Sequence, residues 1–166
     1  MEAYVPGHHY TYDFTSPSAA CPAGTQANAG LNTNRVRLLD QTAAGTAETA
    51  YCYDAADRLL STTGANATTG IKYDSHGNTV EFTTGGSTTY LGWDSTERRL
   101  TARTVGPDAA DVAYVRDATD RVTQRAASQG DTVTNVLLSY TAEGDSADLA
   151  LSPDKRLLTH SGRRRA

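Results

Sequence analysis

At 166 residues the chain is of single-domain length, and with 38% hydrophobic and 20% charged residues it has the composition of a folded protein. Nine Tyr stand against two Phe, one Trp and one Met, so a core here would be thin and built partly from Tyr rings. The net charge of −4 argues against a broad basic nucleic-acid surface, and no apolar run approaches the roughly 18 residues that cross a bilayer as a helix.

Residues 1–9 read as a lead-in, with neither the basic nor the apolar region of a secretory signal. His8 and His9 close it. Tyr10-Thr11-Tyr12-Asp13 then opens a series. An irregular insertion, 16–33, is rich in Pro, Gly, Ala and Asn and holds Cys21. Asn34-Arg35-Val36 reads as the second half of a repeat. Further copies begin at Tyr51-Cys52-Tyr53-Asp54, Ile71-Lys72-Tyr73-Asp74, Leu91-Gly92-Trp93-Asp94 and Tyr114-Val115-Arg116-Asp117, and a degenerate copy at Leu138-Ser139-Tyr140-Thr141. From Asp54 onward the fourth positions are spaced by 20, 20, 23 and 24 residues. The repeat domain is expected over 10–151, and 152–166 is expected to be a tail that abandons the pattern.

Each copy is legible as a hairpin. The two outer residues of Tyr-x-Tyr lie on one face of a strand. The Asp that follows can accept a backbone N–H two residues on and so start a tight turn. Three residues later stand Asp57, Gly77, Asp120 or Gly144, residue types that suit a turn end with positive φ. Arg58-Leu59 and Arg121-Val122 begin return strands, and Thr/Ser/Gly clusters close the units. One hairpin is marginal alone, whereas a row buries a continuous face. The expected fold is all-β: tandem antiparallel hairpins in one curled, open sheet, with end strands exposed to self-pairing.

These Tyr-x-Tyr-Asp-x-x-(Gly/Asp)-(Arg/Asn)-(Leu/Val) units resemble the YD repeats of RHS proteins, of toxin-complex C subunits and of teneurins, over nearly the whole chain from Tyr10 to Gly144. The resemblance implies a piece of a β-shell from a secreted or cell-surface toxin scaffold, and older descriptions of the family imply carbohydrate binding. The chain departs from the family in its length, which is too short to close a shell, and in lacking an Asp-Pro-x-Gly core motif and a toxin domain. Encapsulation and autoproteolysis are therefore not carried over.

Several residues are candidates for chemistry. Tyr12, Tyr53, Tyr73 and Trp93 would form either a stacking platform for sugars or a structural ladder of rings. Asp54 with Asp57, and Asp117 with Asp120, place two carboxylates in one turn, where oxygen ligands would suit Ca²⁺; no other cofactor is expected. His8, His9 and Asp13 are the candidates for a small divalent-cation-dependent hydrolase of esters, lactones or glycosides. Against it stand the absence of Gly-x-Ser-x-Gly, His-Glu-x-x-His and Walker A motifs and the opposite directions of neighbouring strand residues. Cys21 and Cys52 lack metal or redox spacing and are expected to form a disulfide that pins the insertion to the sheet. Asn66-Ala67-Thr68 is a chance glycosylation sequon, and Arg163 to Arg165 read as a solvated tail.

Overall fold

The computed structural model describes residues 1–15, 21–22, 25–26, 33–141 and 146–160. Most of the insertion, Gly144 with the turn expected there, and the three terminal arginines fall outside them. The described residues are all-β. A five-stranded antiparallel sheet runs in the order β1 (Glu2–Val5), β2 (His8–Asp13), β3 (Arg37–Thr42), β4 (Gly45–Tyr53), β5 (Leu59–Thr62). A nine-stranded sheet holds β6 (Thr68–Tyr73), β7 (Thr79–Thr84), β8 (Ser87–Trp93), β9 (Arg99–Val105), β10 (Ala110–Arg116), β11 (Val122–Gln129), β12 (Thr132–Ser139), β13 (Leu149–Leu151) and β14 (Leu157–His160). Neighbours in sequence are neighbours in each sheet, and neither sheet closes into a barrel.

The row of hairpins is thus divided between two sheets rather than drawn into one. The break falls between β5 and β6, where a side chain replaces the backbone ladder: the Thr68 N–H donates to Thr62 Oγ1 at 2.8 Å. Gly70, with φ +61°, sits inside β6, and the pairing of β6 with β7 shifts register between Thr69 and Lys72. A glycine in such a conformation bends a strand out of its ladder.

The chain forms two compact units, Met1–Asp74 with Thr79–Gly86, and Ser75–Asn78 with Ser87–Ala166. In the first, β3 pairs β2 through Tyr10↔Asp40 and Tyr12↔Leu38, and β4 through Leu38↔Thr49. Val36, Ala50 and Cys52 are fully buried there, the thin core that the composition leads one to expect. In the second, one continuous cross-strand row runs Tyr90↔Arg103↔Asp111↔Ser128↔Val133 across β8 to β12.

Five of the hairpins carry the same irregularity, four of them at a signature copy. Register shifts immediately before the turn, at Cys52/Tyr53, Lys72/Tyr73, Gly92/Trp93, Val115/Arg116 and Ala150/Leu151. One residue of each return strand is skipped, namely Leu60, Val80, Leu100, Thr123 and Leu158. A bulge of this kind raises local twist and re-aims the last residue of the strand, which is a ring at Tyr53, Tyr73 and Trp93 and is Arg116 or Leu151 in the other two.

The fifth bulge lies beyond residue 151. Ser152 stands where Asp stands elsewhere: its N–H donates to the Arg156 carbonyl at 2.9 Å, the Lys155 N–H donates to the Ser152 carbonyl at 2.8 Å, and Ser152 Oγ accepts the Arg156 N–H at 3.1 Å. The hairpin pattern therefore continues into the segment expected to be a tail, with β14 paired to β13.

The turn-end residues Asp57 (φ 61°), Glu97 (63°), Asp120 (69°) and Lys155 (62°) are left-handed, as is Gly77 (90°). Four of these five positions tolerate the strain of a side chain, whereas Gly77 avoids it. Since a Cβ on Gly77 would meet nothing within 4 Å, Gly77→Ala should cost only the backbone term, about 1 kcal/mol. A urea midpoint unchanged by that substitution would contradict the turn geometry.

Candidate functional site

The repeated turn is built around one carboxylate. Asp94 Oδ1 accepts the N–H of Thr96 at 2.9 Å, the Thr96 hydroxyl at 2.7 Å and the N–H of Arg98 at 3.0 Å, while Oδ2 accepts Arg98 Nε–H at 2.7 Å. Asp117 repeats this with Thr119 and Arg121, and Asp54 with Ala56 and Arg58. Asp13 keeps the first half of the pattern: it accepts the Thr15 N–H and hydroxyl, each at 2.8 Å, with Arg37 at 3.6 Å.

These donors favour the charged form, so all four carboxyls titrate below their ordinary value. The Thr96 and Thr119 hydroxyls contribute most for Asp94 and Asp117, the latter lowered to about 2. Backbone N–H groups contribute most for Asp54 and Asp13, those of Arg58 and Thr15 respectively. A carboxyl depressed in the folded state stabilises above its unfolded value of 3.8, and that stabilisation is lost as pH falls toward the folded value. The urea midpoint should therefore fall between pH 4 and pH 2, and Asp117→Asn should flatten that fall. An equally steep decline in the variant would show that the acid sensitivity lies elsewhere.

Successive hairpins are joined by a second device. The guanidinium held by Asp54, that of Arg58, lies 4.9 Å from the Tyr73 ring centre, and the Tyr73 hydroxyl donates to the Leu59 carbonyl at 2.7 Å. Arg121 stands 4.8 Å from the Tyr140 ring, and the Tyr140 hydroxyl donates to the Val122 carbonyl at 2.8 Å. In the first unit Tyr53 donates to the Arg35 carbonyl at 2.9 Å, and Arg35 lies 4.2 Å from Tyr51 and 5.8 Å from Tyr12. Where Arg116 replaces the tyrosine, its Nε–H points at the equivalent carbonyl, Arg99, at 3.4 Å. The ladder is therefore ring on guanidinium with a hydroxyl anchored on backbone, rather than ring on ring. Burial raises the Tyr53 and Tyr73 hydroxyl pKa values, as expected for phenols kept protonated as donors.

The histidines do not meet Asp13. On β2, His8, Tyr10 and Tyr12 share one face, and His9, Thr11 and Asp13 the other. His8 Nδ1 lies 2.8 and 3.0 Å from the two oxygens of Asp40 on β3, a partner 32 residues away. His9 stacks on Tyr4 at 4.2 Å, and its Nε2, buried and without a hydrogen bond, is 3.6 Å from Glu2 Oε2. His8 stacks on Tyr10 at 5.5 Å. Beside Tyr10 and Asp40 lies a cleft of about 210 Å³, also lined by Leu38, Glu48, Thr49 and Asn66. Tyr10 and Asp40 are the site residues that sequence reasoning missed. Tyr10 was visible as the first ring of the first signature, but Asp40 carries no local signal.

Among the described residues no group of three or more His, Cys, Asp or Glu side chains converges as a metal site would require. Within the Asp54/Asp57 pair, Asp54 is held by three N–H donors and Asp57 Oδ1 accepts Asn34 Nδ2–H at 3.2 Å. Within the Asp117/Asp120 pair, Asp117 is held likewise and Asp120 lies 3.2 Å from Arg116 Nη1. A cation there would have to displace these contacts. Trp93 closes β8 at the ring position. Cys21 and Cys52 are joined in a disulfide, and the Gln26 N–H donates to the Tyr53 carbonyl at 2.8 Å, so two points of the insertion are tied to the end of β4. No described helix is long and apolar enough to cross a membrane. Neither protein-family models nor curated proteins give a match to the chain.

Proposed function

We propose that the chain is a non-catalytic structural and binding module, a run of RHS/YD-type hairpins from a secreted or cell-surface toxin scaffold. The observation that carries this is the shared internal use of the signature residues. The turn Asp holds its own Arg, and that Arg and the next hairpin's Tyr join one unit to another. Residues spent in this way are scaffold, and the resemblance to YD repeats rests on the same positions. The disulfide supports an oxidising compartment, and the edge strands of the two open sheets, β1 and β14 among them, support self-association. Carbohydrate remains the ligand class of this reading, with the cleft at Tyr10 and Asp40 a better platform than Tyr53 or Tyr73, whose hydroxyls are already committed.

A second reading, the small divalent-cation-dependent hydrolase, draws on the His8–Asp40 pair. A carboxylate on Nδ1 orients an imidazole as a general base, and Asp40 of this pair lines the same cleft. The purified chain should turn over no ester, lactone or glycoside in a chromogenic panel, with or without calcium, manganese or chelator. Turnover abolished by His8→Ala or Asp40→Asn would replace the first reading by the second.

A further inference from the structure

One face of the sheet in the second unit is bare. Two cross-strand rows lie next to each other on it, since residues two apart on a strand share a face. The first is Tyr90↔Arg103↔Asp111↔Ser128↔Val133, and the second is Gly92↔Thr101↔Ala113↔Ala126↔Asn135. Val115, paired with Gln124, follows in a third. Tyr90, Val115 and Val133 therefore point the same way, and they are 44%, 54% and 68% exposed. Among the described residues of β8 to β12 these are the large hydrophobic side chains that stand exposed. Thr101, Ala113 and Ala126 border a trough of about 540 Å³ that Arg103, Asp111 and Val133 also line. A Cβ on Gly92 would collide with Thr101 Oγ1, so the second row stays shallow at that end. An apolar trough left open to water marks a contact surface.

Charge on this face indicates what covers it. Arg103 and Asp111 are the charged members of the two rows, cross-strand neighbours with Nε and Oδ1 3.7 Å apart. Both are exposed, so as a lone pair they contribute little to stability. A positive and a negative group side by side nevertheless form a pattern that is its own complement. A second copy can be turned onto the first about an axis parallel to the strands, midway between β9 and β10. Arg103 of each copy then lies over Asp111 of the other, and Thr101 over Ala113. No other two-fold axis in the plane of the contact makes that exchange, and an axis along the first row would set like charges together. Sheets pack face to face at about 10 Å, and the small residues of the second row leave room for that approach.

We propose that this face of β8 to β12 pairs with the same face of a second copy about the axis between β9 and β10. The contact is isologous, so it closes at two copies. It uses none of the turn carboxylates or anchored tyrosines that carry the scaffold reading, and so it stands apart from that reading.

The test is sedimentation of the whole chain over a range of concentrations, with variants whose folding is checked by far-UV circular dichroism. Wild type should show a monomer–dimer step. Arg103→Glu sets like charges face to face and should weaken the dimer by on the order of a hundredfold. Ala113→Lys fills the trough beside the axis and should weaken it too, with the charge pair left in place. Arg103→Glu and Asp111→Arg in one chain reverse the pattern but keep it self-complementary. That double variant should dimerise with itself. Labelled with a fluorophore, it should not pair with unlabelled wild type, because each contact would then join like charges. Wild type without a dimer step, or a dimer that Arg103→Glu or Ala113→Lys leaves unchanged, would overturn the proposal. So would a double variant that stays monomeric, or one that joins wild type as readily as itself. Turnover in the chromogenic panel is a separate readout, which bears on the scaffold reading alone.

Discussion

Reducing the Cys21–Cys52 disulfide should lower the unfolding free energy by about 3–4 kcal/mol. The bridge spans 31 residues, and in the chain-entropy account a closed loop of that length removes about this much freedom from the unfolded ensemble. The folded state adds a second reason. Cys52 is fully buried beside Val36 and Ala50, so the cross-link enters the best-packed part of the first unit. A protein with so few buried residues has little else to offset such a loss, since domains are stable by only about 5–15 kcal/mol in total. Urea titrations with and without reductant measure the effect. The oxidised and reduced curves should differ in midpoint, with the slope changed because the unfolded chain expands. Coincident curves would mean that the insertion contributes nothing to the stability of the unit it is tied to.

Much of this fold is visible in single residues. The Asp positions mark the turns, and positive φ falls on Asp57, Gly77 and Asp120 as their residue types suggest. What is hidden falls into two kinds. The first is substitution at a role. Ser152 keeps the turn with a hydroxyl in place of a carboxylate, and Arg116 reaches a carbonyl that a tyrosine hydroxyl reaches elsewhere. A pattern read by residue type passes over both, because the backbone asks only for an acceptor in one place and a donor in the other. The second kind is long-range. Asp40 meets His8 only because β2 and β3 pair Tyr10 with Asp40, and a strand register set across an insertion has no local signature. The division into two sheets is hidden for the same reason: it depends on a β5–β6 ladder that is replaced by the Thr68–Thr62 side-chain bond.

Those substitutions also indicate which part of the joint matters. Where the ring is lost at Arg116, the bond to the carbonyl is kept, and where the Asp is lost at Ser152, the bonds to the turn backbone are kept. Polar closure of each bulged turn is the shared requirement, and the ring with its guanidinium is the addition that binds one unit to the next.

Tyr73→Ala should accordingly destabilise the chain by about 2–3 kcal/mol, toward the low end for loss of a large ring because this one is only half-buried. The loss divides by partner. Tyr73→Phe removes only the 2.7 Å bond to the Leu59 carbonyl and should cost about 1 kcal/mol. The rest belongs to ring burial and to the Arg58 contact at 4.9 Å, which a double-mutant cycle of Tyr73→Ala with Arg58→Ala should report as a coupling of about 0.5–1 kcal/mol. Tyr90, exposed on β8, is the control, and Tyr90→Ala should stay within about 0.5 kcal/mol. The contrast between two tyrosines of one chain makes the prediction sharp. In a row of hairpins each unit is held by its nearest neighbours, so a joint residue must cost more than its area alone would suggest. Equal costs at Tyr73 and Tyr90 would mean that the ring ladder is incidental and that the backbone pairing alone holds the row together.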